Sequence, residues 1–145
     1  MTPKAQVFEQ ISVFLENRPG VIAEVCNALI DQEINITALT VLETFDIATM
    51  RLVVDRAEAA KEALRTAGAA YVAVPVLGVT MPNVPGALGL FGERIANVGV
   101  NIEYMYASSI PDTKSVFAIV RVRDEDMEKV LELSFDSLSS EAEHE

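Results

Sequence analysis

The sequence predicts an α+β protein built from two β-α-β-β-α-β (βαββαβ) units, and three observations carry that reading. The chain repeats itself: Asn17-Arg18-Pro19-Gly20 recurs as Asn83-Val84-Pro85-Gly86, and Ile34-Asn35-Ile36 recurs as Val100-Asn101-Ile102, both at an offset of 66 residues. A spacing kept through an intervening apolar stretch marks one structural unit that has been duplicated. Within each copy the apolar period switches from about 2 to about 3.6 and back, as strands and helices alternate. The length of 145 residues suits two units of roughly 70 residues that help bury each other.

In the first copy, Val7 to Leu15 is rich in β-formers, with Ile11, Val13 and Leu15 on one side, and reads as a strand with one buried face. It ends at the Asn17 turn, where Pro19 and Gly20 open a helix whose stripe is Ile22, Val25 and Leu29; the second copy repeats this as Leu88, Phe91 and Ile95. Turns follow at 31–33 and 97–99, then pairs of β-prone runs at 34–44 and 47–54, matched by 100–109 and 115–122. Ala57 to Ala67 has the composition of a second helix, closed by Gly68. Its counterpart is Asp124 to Leu133, where Leu64 aligns with Leu131 and one residue has been gained near Arg121 to Arg123. Tyr71 to Val76 supplies a fourth strand and runs almost without pause into Leu77 to Met81, the first strand of copy two. For the last strand of copy two only Ser134 to Leu138 is left. The expected units are therefore 1–75 and 76–138, with 139–145 a disordered acidic tail.

Each unit should carry both helices on one face of an antiparallel sheet. Yet the strands are apolar on both faces: Val116, Ala118 and Val120 alternate with Phe117 and Ile119, and Ile102, Tyr104 and Tyr106 alternate with Met105. An open sheet face should alternate with polar residues, so either the other repeat or a second chain is expected to cover it. Half of the residues are hydrophobic and the mean hydropathy is +0.28, which also favours self-association into a homodimer.

Composition excludes other partners. A net charge of −11 opposes nucleic acid and anionic lipid, which demand Lys and Arg. No apolar run is long enough to cross a bilayer. Cys26 is the single cysteine and cannot form an internal disulfide, and no secretory signal pattern opens the sequence, so a cytoplasmic protein is expected. His144 is the single histidine and lies in the tail. Without a second histidine or paired cysteines, neither a structural zinc site nor a Ser-His or Cys-His pair can be built, and no metal, cofactor or catalytic residue is expected. Cys26 lies beside the apolar stripe, opposite Gly92 in the repeat, and reads as an inert thiol.

The duplicated polar residues are where function is expected. A strand ending in Asn-x-Pro-Gly and passing into a helix offers backbone N–H groups that suit a carboxylate. Gly20 and Gly86 permit close approach to the backbone, Pro19 and Pro85 preorganise the turns, and Asn17 and Asn83 offer the donors and acceptor that a zwitterion needs. In this unit the second strand lies at the sheet edge, beginning with Asn35 or Asn101, and an edge invites a partner. Pairing two edges about a twofold axis would make two clefts, one from Asn17, Gly20 and Asn101, the other from Asn83, Gly86 and Asn35. Arg18 is present only in the first turn, with Val84 in its place in the second.

Glu16-Asn17-Arg18-Pro19-Gly20-Val21 with Ile34-Asn35-Ile36, and Asn83-Val84-Pro85-Gly86-Ala87-Leu88 with Val100-Asn101-Ile102, resemble two ACT domains covering nearly the whole chain. The resemblance implies two ferredoxin-like units that bind a free amino acid between ACT units and regulate, with no chemistry on the ligand. The pattern is similar to the serine-sensing domain of phosphoglycerate dehydrogenase, but the ligand-facing histidine of that domain is replaced by Leu15 and, in the second copy, by Met81. A less polar amino acid is implied, since a buried hydroxyl without a partner costs about 1 to 3 kcal/mol. A regulatory subunit of an amino-acid biosynthetic enzyme, as in the small subunit of acetolactate synthase, is the alternative. Acylphosphatase-like hydrolysis, which wants an arginine in the first turn, is a third reading resting on Arg18 alone.

Overall fold

The structure is a computed structural model that describes residues 4–109, 111–135 and 138. It contains two compact units. One is Glu9–Val74; the other gathers the residues up to Phe8 with those from Pro75 onward. The elements are β1 (Lys4–Glu16), α1 (Val21–Ile30), β2 (Ile36–Thr44), β3 (Ile47–Val54), α2 (Ala57–Thr66), β4 (Ala70–Pro82), α3 (Ala87–Asn97), β5 (Tyr104–Ser108), β6 (Ser115–Arg121), a 3₁₀ turn (Asp124–Asp126) and α4 (Met127–Leu131).

Within Glu9–Val74 the strand order is β2-β3-β1-β4. β1 and β2 both run antiparallel to β3, from Gln10 opposite Val53 to Glu16 opposite Ile47, and with a bulge between Ile36 and Ala38 on β2. One face of this sheet is closed by α1 and α2. Ile11 and Val13 from β1 and Met50 and Leu52 from β3 pack there with Val25 and Leu29 of α1 and Leu64 of α2. Burial of each such side chain contributes roughly 1.5 to 3 kcal/mol. Among the described residues of this unit, no helix packs on the opposite face. Residues 49 and 51 of β3 share it with Ser12 and Phe14 of β1 and with Thr40 and Leu42 of β2, since directly opposed residues point the same way. Phe14, Leu42 and Ile47 remain exposed.

The other unit has the order β1-β4-β6-β5, with β4 and β5 antiparallel to β6. Val79, Met81, Ala118 and Val120 pack against Phe91 and Ile95 of α3, and Phe135 joins them with its ring centroid 5.3 Å from that of Phe91. The strand expected over 134–138 is absent where the segment is described: Ser134 and Phe135 have no regular structure, Leu138 is helical, and residues 136 and 137 lie outside the described residues. Its position beside β4 is taken by β1. β1 and β4 are 13 residues each, about 43 Å of extended chain at ~3.3 Å per residue, long enough for each to contribute to both units. Lys4 to Phe8, placed by the repeat with the first copy, accordingly group with the second. The expected tail, 139–145, also lies outside the described residues.

Two stripes are shifted from their expected positions. The buried residues are Val21, Val25 and Leu29 in α1 and Ala87, Phe91 and Ile95 in α3, while Ile22 and Leu88 are 41% and 43% exposed. Spacings of i, i+3, i+7 and i, i+4, i+8 both fit a 3.6-residue period; where the helix starts selects the second. In α4 the buried residues are Met127 and Val130, while Leu131, aligned with Leu64 in the sequence, is exposed; Val130 is the residue at the unchanged offset of 66 from the buried Leu64.

Gly78 of β4 explains how the helix-free face of the second unit is filled. A Cβ there would run into the ring of Phe8, which meets Phe117 edge-on with centroids 5.9 Å apart. Gly78→Ala should therefore overpack this face and destabilise by about 1 to 3 kcal/mol. Combining it with Phe8→Ala should recover part of that loss, and a double-mutant cycle by denaturant unfolding reads the coupling. Deleting residues 1–8 should lower the melting temperature by several degrees, because it strips β4 of a strand neighbour.

Candidate functional site

The two Asn-x-Pro-Gly turns are built alike. Gly20 and Gly86 are the N-caps of α1 and α3, with φ of 86° and 89°, a left-handed conformation that only glycine adopts without strain. The helices therefore begin at Val21 and Ala87, and Pro19 and Pro85 precede the cap instead of opening the first turn as the sequence suggested. Asn17 donates its backbone N–H to the Asp46 carbonyl at 3.0 Å and its Nδ2 to the Phe45 carbonyl at 3.4 Å. Asn83 repeats this with the Lys114 carbonyl at 2.9 Å and the Thr113 carbonyl at 3.0 Å. Each turn asparagine thus fastens the strand-to-helix turn to the hairpin of its own unit, which is structural work.

The strand-start asparagines lie elsewhere in the same units. The Asn35 N–H donates to Asp55 Oδ1 at 3.0 Å, and its carbonyl accepts from the Asp55 N–H at 3.1 Å. Asn17 stands against the hairpin joining β2 to β3 and Asn35 stands at the far ends of those strands, so one unit does not bring its own two asparagines together. In the second unit, Asn101 precedes β5, near the pairing of Glu103 with Arg121, while Asn83 meets the hairpin at 113–114. All four asparagines are exposed. Met81 lies wholly inside the core beneath α3, and Leu15 belongs to the core beneath α1.

Arg18 has defined partners. Its Nη1 and Nη2 donate to Glu24 Oε1 and Oε2 at 3.0 and 2.8 Å, a bidentate pair, and its Nε reaches Glu16 Oε2 at 3.3 Å. The hydrogen bonds from Arg18 hold the Glu24 carboxyl below its ordinary range, against the opposing pull of partial desolvation, and the same contacts raise the already high pKa of Arg18. The bridge flanks a cleft of about 340 Å³ within this unit, lined among others by Leu15, Arg18, Val21, Glu24, Val25 and Leu64. Of the predicted residues, the cleft takes Leu15 and Arg18. Sequence reasoning missed Glu24, although one signal was available: at the repeat offset its counterpart is Leu90, just as that of Arg18 is Val84.

A second groove of about 450 Å³ runs between α1 and α2, lined by Ala28, Gln32, Ala59, Ala63 and their neighbours, and contains none of the predicted residues. Among the described residues no group of three or more His, Cys, Asp or Glu is placed to hold a metal ion. Cys26 is partly buried and unpaired by any disulfide. No described helix is long and apolar enough to cross a membrane.

Comparison with known proteins agrees with this architecture. The chain is similar to protein BT0572 of Bacteroides thetaiotaomicron, with a TM-score of 0.81 and 33% identity over 92% of this chain and 96% of that one. It also shares its fold with the regulatory subunits of aspartate kinase from Thermus thermophilus (TM-score 0.69, 21% identity, 98% and 97% of the two chains) and Thermus flavus (0.65, 19%, 98% and 97%). No curated protein matches the chain. A family profile described as an ACT domain pair matches residues 6–140, and with both repeats inside that span the chain belongs to the ACT domain pair family.

Proposed function

We propose that this protein is a regulatory sensor that binds a free amino acid at its Asn-x-Pro-Gly turns and passes the signal on through assembly, without chemical change to the ligand. The observation that carries this reading is the twofold occurrence of one preorganised turn, a left-handed glycine cap held to its hairpin by an asparagine, in a member of the ACT family. Preorganised backbone donors at a helix start favour a carboxylate. Because one unit keeps its two asparagines apart, the site is completed by the edge strand of a second copy, which brings Asn35 or Asn101 to the turn.

A homodimer is part of this reading. β2 is a nine-residue strand at the edge of its unit, paired only with β3 among the described residues, and it exposes Leu39, Val41 and Leu42. Such an edge is a template for another strand. The regulatory-subunit names of the Thermus proteins favour an enzyme of amino-acid biosynthesis as the regulated partner, the small-subunit alternative drawn from the sequence. Acyl phosphate hydrolysis gains nothing from Arg18, whose guanidinium already faces two carboxylates.

A thermal-shift screen of the twenty amino acids near millimolar concentration tests the sensor. A ligand at 100 times its Kd adds about 2.7 kcal/mol, several degrees for domains of this size. Asn35→Ala and Asn101→Ala should weaken binding with little change in the unliganded melting point, whereas Asn17→Ala and Asn83→Ala should also cost roughly 1 kcal/mol each through the lost hairpin bond. Absence of any shift overturns the reading. For the dimer, Val41→Lys should shift sedimentation toward the monomer, since a charge blunts an edge strand.

A further inference from the structure

In the first repeat the cleft beside α1 has a charged rim. Arg18 and Glu24 close on each other at its mouth, at 2.8 and 3.0 Å, while Val21, Val25 and Leu64 form a buried apolar floor. At the same two positions the second repeat carries Val84 and Leu90, both packed against its core. The pair has changed together, from cation and anion to two apolar groups. That is the pattern expected if the two positions act as a unit.

From this we infer that the cleft of the first unit is a binding site for a zwitterionic amino acid with an aliphatic side chain, whose carboxylate takes Arg18 and whose ammonium takes Glu24. The inference rests on the reading of the protein as an amino-acid sensor and names, for the turn of the first unit, the ligand class and the charges that face it. The physical case has three parts. An exposed ion pair contributes little to stability and is cheap to open. A zwitterion replaces both partners at once while Glu16 keeps its contact with the Arg18 Nε, whereas a simple anion would take Arg18 and leave Glu24 with water alone. The volume of about 340 Å³ is at the small end of ligand pockets, fitting a molecule the size of one amino acid, and the floor side chains Val21, Val25 and Leu64 are aliphatic, suited to an aliphatic ligand side chain.

The test is calorimetric titration of the intact protein with L-leucine, L-valine and L-isoleucine, and with two analogues of leucine that each lack one charge, 3-methylbutylamine and 4-methylpentanoate. The expected result is binding of at least one of the three amino acids, at least tenfold weaker binding of both analogues, and loss of that binding in the double variant Arg18→Val with Glu24→Leu. This variant borrows residues that the second repeat already uses, and the analogues are read on the parent protein, so the test does not depend on the variant folding. Unchanged binding in the double variant, or equal binding of either analogue, overturns the inference and leaves the sensor reading standing. Binding of only polar amino acids overturns it likewise. If the parent binds no amino acid at all, the sensor reading falls, and this inference with it.

Discussion

The organisation of each unit depends on one backbone constraint, the left-handed glycine between the first strand and the first helix. At φ near +86° the chain reverses sharply enough that β1 can hand over to α1 with Val21 aimed into the core, and Gly86 does the same for α3. A residue with a Cβ would be strained there. The asparagine three residues earlier makes the turn a junction between three elements, because its backbone and side chain both bind the hairpin that follows the helix. Moving the glycine would shift the helix start, and with it every buried position of the stripe.

The same junction places the chemistry. Arg18 lies inside the turn and Glu24 one helical turn beyond the cap, so a bidentate bridge between them is a local consequence of how the helix begins. The three buried helix positions keep equivalent places in the two repeats, Val21 and Ala87, Val25 and Phe91, and Leu29 and Ile95, while Val84 and Leu90 add to the second core where Arg18 and Glu24 bridge at the surface of the first. The rim of one unit is charged and that of the other apolar, over the same backbone.

Much of the fold was legible because periodicity and turn chemistry are local. The strand, the Asn-x-Pro-Gly turn and the amphipathic helices could be placed from spacing, and the repeat supplied a second reading of each. The errors share a cause. Spacing alone points to Ile22 and Leu88 as readily as to Val21 and Ala87, since two helical spacings fit the same period, and only the position of the cap chooses between them. A repeat complete in sequence leaves only Ser134 to Leu138 for the last strand, whereas in that unit β1 lies beside β4.

By itself, then, the sequence determined the duplication, the α+β class, the two turns and the identity of their asparagines, since these follow from residue spacing and from the few residues that tolerate a given backbone angle. Tertiary structure alone decided that the turn asparagines hold hairpins, that Glu24 closes on Arg18, and that Phe8 fills the space above Gly78. Each of these joins residues whose approach depends on strand register and helix start. Register and start are set by the packing of the whole unit, and no local pattern records them.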